Sequence, residues 1–295
     1  MHDEIENVLD KKPEFDHLIK LLDDEDENIY SNVRERFLLY GDDTTGFLKQ
    51  YLNDENYIIK KRAAEIISTI NFDNIETKLK QISNRGSKNL LEEALLLIGT
   101  FGYPDLDPEI YRTIFDKMAQ DIEEELLQIN NNIKDILPLE ILNTVNNYLF
   151  FNKGFKGNSG NYYNPDNSYI NKVIDSRTGI PITLSIIYIL IARRLKLPIS
   201  GINLPGHFIL KYEDKKDQFF IDPFNKGVVI SMKEASEFIK KIGMAKEEFD
   251  KIPYLKKTGD KEIVLRVLRN LIEIYRKENE TIKIEQLERL MLCMA

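Results

Sequence analysis

Two residues able to move protons stand at the ends of neighbouring strand-like segments. His207 opens the run His207-Phe208-Ile209-Leu210-Lys211-Tyr212. Asp222 closes Gln218 to Ile221, and the polar stretch Glu213 to Asp217 lies between. The pattern predicts a hairpin, in which pairing sets residues near opposite ends of the loop side by side. A histidine oriented by a carboxylate is the base half of a nucleophile–His–acid arrangement, and alone it can serve as a general acid/base. The plainer account is a histidine packed in a strand and an Asp-Pro pair that starts a turn.

A nucleophile must come from elsewhere. The most apolar segment, Ile180 to Arg194, predicts a buried helix ending before Pro198. Pro181 falls in its first turn, where proline is tolerated. Thr183 and Ser185 lie near its N-terminus, where unpaired amides and partial positive charge suit an anion, an oxyanion or a thiolate. Cys293 is the only thiol; it falls in the last turn of an apolar C-terminal helix and is expected to be a buried packing residue. Phe150 to Tyr163, rich in glycine and asparagine, predicts a compact loop. Tyr162 and Tyr163 there offer rigid rings with polar tips, for a pocket wall or for packing the loop. Asn164-Pro165-Asp166-Asn167-Ser168 predicts a turn into a short helix capped by Asp166, Asn167 or Ser168. Tyr162, Tyr163, Asn167, Ser168, Asn203 and Asn225 form the candidate ligand-binding set.

Composition bounds the partners. The chain has 295 residues, 42% hydrophobic and 31% charged, with a formal charge of −8. That balance argues against nucleic acid, which calls for a basic face. One cysteine excludes an internal disulfide and fits a reducing compartment. The N-terminal MHDEIENVLDKK lacks a signal-peptide pattern, and Ile180 to Ala192 is shorter than the roughly 20 residues of a membrane span. A cytoplasmic protein without membrane contact is expected. Of three histidines, His2 and His17 belong to the N-terminal helices, so no metal or other cofactor is expected. The acidic run Asp23 to Glu27 lacks the glycine a calcium loop needs for its sharp turn and reads as a solvated loop.

From Glu14 to Gln128 the periodicity is helical. Asp26-Glu27-Asn28 recurs as Asp54-Glu55-Asn56, and Arg34 falls in register with Arg62, an echo that stacked helical hairpins of the HEAT type produce. Gly41 is a natural helix stop. Leu90 to Thr100 is apolar nearly all round and should sit inside. Asp107 caps a helix with Pro108 at its first position, and Pro138 can open another. Beyond Gly227, Val228 to Ile230 predicts a last strand. A helix capped by Ser231, with Glu234 at the capping-box position, carries Ala235, Phe238 and Ile242, and Phe249 to Lys257 connects onward. Ile263 to Lys277 and Ile282 to Met294 predict a helical hairpin that must dock on the core or on a partner. In the first case Arg266, Arg269 and Arg276 would be solvated.

GIPITLSIIYILIARRLKLPI, LPGHFILKY and FFIDPFNKG resemble the core of the transglutaminase-like superfamily, and most nearly its bacterial SirB-type branch. Members of that branch flank this core with helices and a tetratricopeptide-like tail. A related domain is known in an F-box protein of animals. The resemblance implies an α+β, mainly helical chain in three parts. These are a HEAT-like N-terminal region (1–130), a papain-like core with a small antiparallel sheet (131–257) and a tetratricopeptide-like hairpin (258–295). It further implies that a cysteine opens the buried helix of catalytic relatives, with a histidine starting the next strand and an aspartate ending the one after. His207 and Asp222 match the last two. Counting back from Leu197-Pro198 puts Pro181 where the cysteine belongs, and proline carries no nucleophile. Ser185, one turn on, is the residue whose hydroxyl would stand in for the thiol. The expectation therefore leans away from an enzyme. It is a pseudoenzyme whose cleft binds a polypeptide or small molecule, with the helical flanks open to a protein partner. The alternative is a cysteine-independent hydrolase or acyltransferase using His207 and Asp222 as acid/base.

Overall fold

The computed structural model describes residues 13–204, 206–231 and 256–294. The helix expected after Ser231, with Glu234, Ala235, Phe238 and Ile242, and the connector as far as Leu255 lie outside them. Two compact units divide the chain, Met1–Lys78 and Leu79–Ala295.

The first unit contains α1 (Glu27–Tyr40), α2 (Asp42–Lys49) and the start of α3 (Tyr57–Arg85). Asp26 caps α1 by accepting from the Asn28 amide at 2.8 Å, and Asp54 accepts from the Asn56 amide at 2.8 Å before α3. The sequence echo is thus one turn made twice, because Asp-x-Asn closes the same side-chain-to-backbone ring in each copy. The two arginines in register diverge. Arg62 donates to the Leu22 and Asp24 carbonyls, whereas Arg34 reaches Thr69. Phe15, Leu22, Phe37, Leu48 and Ile66 make the core of this unit.

In the second unit α4 (Leu90–Gly102), α5 (Pro108–Ile129) and α6 (Pro138–Asn146) come first. Asp107 caps α5 through the Glu109 amide at 2.9 Å. α6 runs on into a π-helical turn, Asn147–Asn152, so the segment expected to be all loop begins as helix. Tyr148, Leu149 and Phe150 are buried there, and an i→i+5 bond from the Lys153 amide to the Tyr148 carbonyl closes the turn. A short strand β1 (Lys156–Gly157) then pairs in parallel with β2 (Thr178–Gly179). Between them lies α7 (Ile170–Ser176). Its N-cap is Tyr169, not Asp166, Asn167 or Ser168. Asp166 and Asn167 lie in a 3-10 turn capped by Asn164.

α8 (Pro181–Arg194) is buried at every position from Pro181 to Ala192. Its apolar surface runs all round, so it must be wrapped, and each of its buried isoleucines and leucines contributes roughly 1.5–3 kcal/mol relative to exposure. The sheet that covers one side is antiparallel, in the order β3 (Ile199–Leu204), β4 (His207–Glu213), β5 (Gln218–Asp222), β6 (Val228–Ser231). Gly201 in β3 has no room for a side chain, since a Cβ would lie 2.5 Å from the Phe208 ring. The Thr258 amide donates to the Gly201 carbonyl at 2.9 Å, covering the outer edge of β3.

The C-terminal hairpin is α9 (Asp260–Lys277) and α10 (Thr281–Met294). α9 packs against α4, α8 and α10, burying Val264, Val267, Leu268 and Leu271. Arg193, near the end of α8, pairs with Asp260 at 3.0 Å. The Tyr275 hydroxyl meets that of Tyr169 at 3.0 Å, and the Tyr169 ring stands edge-on to Tyr103. A helix apolar all round recruits α5 on one side and α9 on another, which ties both flanks to the core. Among the described residues no helix is long and apolar enough to cross a membrane.

Candidate functional site

β4 and β5 bring His207 and Asp222 together, with Nε2 3.0 Å from Asp222 Oδ2. Asp222 is fully buried and His207 nearly so. The carboxylate is fixed from four directions. Oδ2 also accepts from Asn225 Nδ2 at 2.7 Å, and Oδ1 accepts from the amides of Phe224 and Asn225 at 3.1 and 3.3 Å. These amides belong to the 3-10 turn Pro223–Asn225, so the Asp-Pro turn is what locks the acid. The Phe224 ring stands edge-on to the imidazole at 6.3 Å. Behind that ring lies Gly157, where a Cβ would approach to 2.6 Å. A neutral imidazole whose Nε2 proton is held by a carboxylate has its basic character at Nδ1. The dyad can orient and polarise a proton donor; a covalent step needs another group.

Pro181 is the first residue of α8 and is buried. Ser185, one turn further, is fully buried, and its hydroxyl donates to the Phe208 carbonyl at 3.5 Å. That proton is directed to backbone next to His207, not to the imidazole. Thr183 Oγ1 donates to the Asn167 carbonyl at 2.8 Å and accepts from the Ile180 amide at 3.1 Å. Cys293 is half-exposed in α10, where its thiol donates to the Arg289 carbonyl. It is therefore less buried than its apolar sequence neighbours suggest.

The candidate ligand residues separate into two groups. Asn167 is buried and spends its amide inside the loop, donating to the Asn161 and Tyr162 carbonyls and accepting from Asn158. Ser168 is buried, and among the described residues its hydroxyl has no partner. Asn225 acts on Asp222, as above. Tyr162, Tyr163 and Asn203 reach the surface. The two tyrosine rings meet edge to face at 5.4 Å, and Lys277 Nζ lies over the Tyr163 ring. Burial pushes the Tyr162 phenol up, and the nearby Arg266 charge opposes it.

Arg266 is the residue that helical periodicity misplaces. It is half-buried rather than solvated. Its Nη1 donates to the Leu204 carbonyl at 3.1 Å, and its guanidinium lies over the Phe208 ring at 5.5 Å. The available signal was its place three residues after Ile263, which is buried: a long stem starting beside an apolar stripe can lie along it. Among the described residues no three His, Cys, Asp or Glu side chains gather as a metal site would require.

A family model described as the transglutaminase-like superfamily matches residues 110–269. The chain belongs to the transglutaminase-like superfamily. The matched span runs from α5 into α9 and includes the dyad, Pro181 and Arg266. Among individual relatives, a UPF0162 protein of Xylella fastidiosa is 34% identical over 191 residues, covering 64% of this chain and 66% of that protein. A second UPF0162 protein, from another strain of that organism, is 35% identical, and 64% of its length is covered. The chain thus spans just under two thirds of the length of these relatives. F-box only protein 21 of Mus musculus is 37% identical over 111 residues, which is 35% of this chain and 18% of that one. No solved structure matches. Within the transglutaminase-like core, the dyad comes from the hairpin and the buried helix presents proline at its first position.

Proposed function

We propose that the core is a catalytically silent, SirB-type transglutaminase-like fold whose cleft binds a polypeptide or small molecule in the cytoplasm. The observation that carries this is Pro181, a side chain without a nucleophile at the opening of the buried helix. The engagement of Ser185 with a backbone carbonyl supports it, since a hydroxyl aimed away from the base is not activated. The HEAT-like first unit and the tetratricopeptide-like hairpin would add protein-contact surface. Ile282 and Leu292, exposed on α10, support that part.

Wild type and His207→Ala, assayed side by side on ester, amide and amine-acceptor substrates, are expected to give identical blanks. Turnover by wild type that disappears in both His207→Ala and Ser185→Ala would establish the opposite. The four-donor clamp on Asp222 favours a second reading, in which His207 acts as general acid/base on a bound substrate or water. Turnover lost in His207→Ala and kept in Ser185→Ala would select it.

A further inference from the structure

Of the other half-buried arginines, Arg34 reaches the Thr69 hydroxyl, whereas Arg62, Arg112 and Arg194 have acids. Arg194 holds Glu92 at 2.6 Å and Asp116 at 2.6 Å, and Arg62 holds Glu27 at 3.0 Å. Arg266 has a carbonyl and a ring, and among the described residues no carboxylate pairs with it. Acids are in excess, 49 against 41 basic residues, so the lack is not one of supply. Two acids one or two turns away on α9 are engaged, Glu262 with the Gly259 amide and Glu273 with Arg276. Exposed Arg269 adds like charge close to Arg266, and burial pulls the Arg266 guanidinium down from its ordinary range. A partly desolvated cation without a counter-charge is costly, and a guanidinium presents five donors in a planar fork suited to a carboxylate.

Arg266 reaches the strand end that leads to the dyad. Thr183 in the first turn of α8 bonds the Asn167 carbonyl, and Asn167 holds the Tyr162 backbone. The Tyr162 phenol lies within the field of Arg266, and Arg266 grips Leu204, the last residue of β3 before the turn that delivers His207. We propose that Arg266, with Arg269 one turn on adding charge, is the cleft's receptor for a carboxylate of the ligand. This deepens the binding function proposed above and rests on it. The carboxylate is a polypeptide C-terminus or that of a small acid, and the two sources are separable.

The test is NMR titration of the full chain at constant ionic strength, following the Arg266 Nε–Hε signal, the Tyr162 ring and the His207 ring. The probes are sodium acetate, sodium chloride, N-acetyl-trialanine with a free C-terminus, and the same peptide as its C-terminal amide. Acetate is expected to shift Arg266 and Tyr162 saturably while chloride does not. Arg266→Gln should abolish the response, and Arg266→Lys should weaken it at least about tenfold by losing the fork. Tighter binding of the free-acid peptide than of acetate assigns a polypeptide terminus; equal binding assigns a small acid. Equal effects of acetate and chloride, or a saturable shift that survives in Arg266→Gln, would overturn the assignment. Should that variant fail to fold, the wild-type comparison of acetate with chloride decides alone. If the amidated peptide shifts His207 while acetate leaves Arg266 still, the cleft stands and the carboxylate receptor falls. If no peptide moves His207 while acetate saturates Arg266, the cleft reading falls instead.

Discussion

Pro181 and the clamped dyad pull the proposed reading in opposite directions. The carboxylate of Asp222 receives four donors, a geometry that holds an imidazole in one orientation, yet the buried helix of the same core opens on a ring. Placing sulfur at position 181 tests the geometry directly. With Cys293→Ser removing the native thiol, Pro181→Cys is expected to react with iodoacetamide with a pH midpoint below the ordinary thiol range of about 8.5, because a helix N-terminus and a histidine partner both favour thiolate. Adding His207→Ala should raise the midpoint. No change on that addition would mean that position 181 does not face the imidazole. At this scale the meeting of His207 with Asp222 is legible in the sequence, since a short polar loop between two apolar runs fixes which ends pair. The roles of Asn167 and Arg266 are not. Asn167 sits in a cap-like string whose inward face is set by the distant Thr183, and Arg266 bends along a surface built by β3 and β4.

At the scale of elements, α8 is legible from its unbroken apolar run and from the proline at each end. So are the α5 cap, the hairpin strands and the C-terminal helix pair, each marked by local turn chemistry. The π-helical turn Asn147–Asn152 is not, because its extra residue per turn is stabilised by burying Tyr148 to Phe150 and by no local signal. The seating of α8 on the sheet makes a sharp demand at Gly201, where a methyl group would collide with the Phe208 ring and touch Ile189. Gly201→Ala is therefore expected to destabilise by about 1–3 kcal/mol through overpacking, read as a lower urea midpoint with an unchanged slope. Because Phe208 follows His207, the same variant should also move the His207 ring signals. An unchanged midpoint would show that β3 and α8 separate more easily than their packing indicates.

For the second unit as a whole, the buried tyrosines set a limit on pH. Burial, the largest cause, pushes the phenols of Tyr169 and Tyr188 up, with neighbouring Tyr275 adding to Tyr169. Burial followed by a carboxylate bond does the same for Tyr103 with Asp166, Tyr148 with Asp121 and Tyr212 with Asp214. Composition alone reveals 14 tyrosines, but which of them are enclosed depends on how α4, α7, α8 and α9 meet. The sign follows from proton counting. Below an unfolded phenol pKa of about 10 both states are protonated and the contribution is fully present; above it the unfolded chain releases protons that the folded chain keeps, so stability falls as pH rises. Each fully buried tyrosine can steepen the fall by up to about 1.4 kcal/mol per pH unit. Urea unfolding between pH 8 and 11.5 should therefore show a midpoint that is flat and then drops, with phenolate absorbance appearing together with loss of helical circular dichroism. Tyr188 separates this cause from general charge repulsion. Among the described residues its hydroxyl has no hydrogen-bond partner, so Tyr188→Phe removes a desolvated donor at little structural cost. The variant is expected to match or exceed wild-type stability at pH 8 and to lose less of it by pH 11. An alkaline slope identical to wild type would place the sensitivity elsewhere.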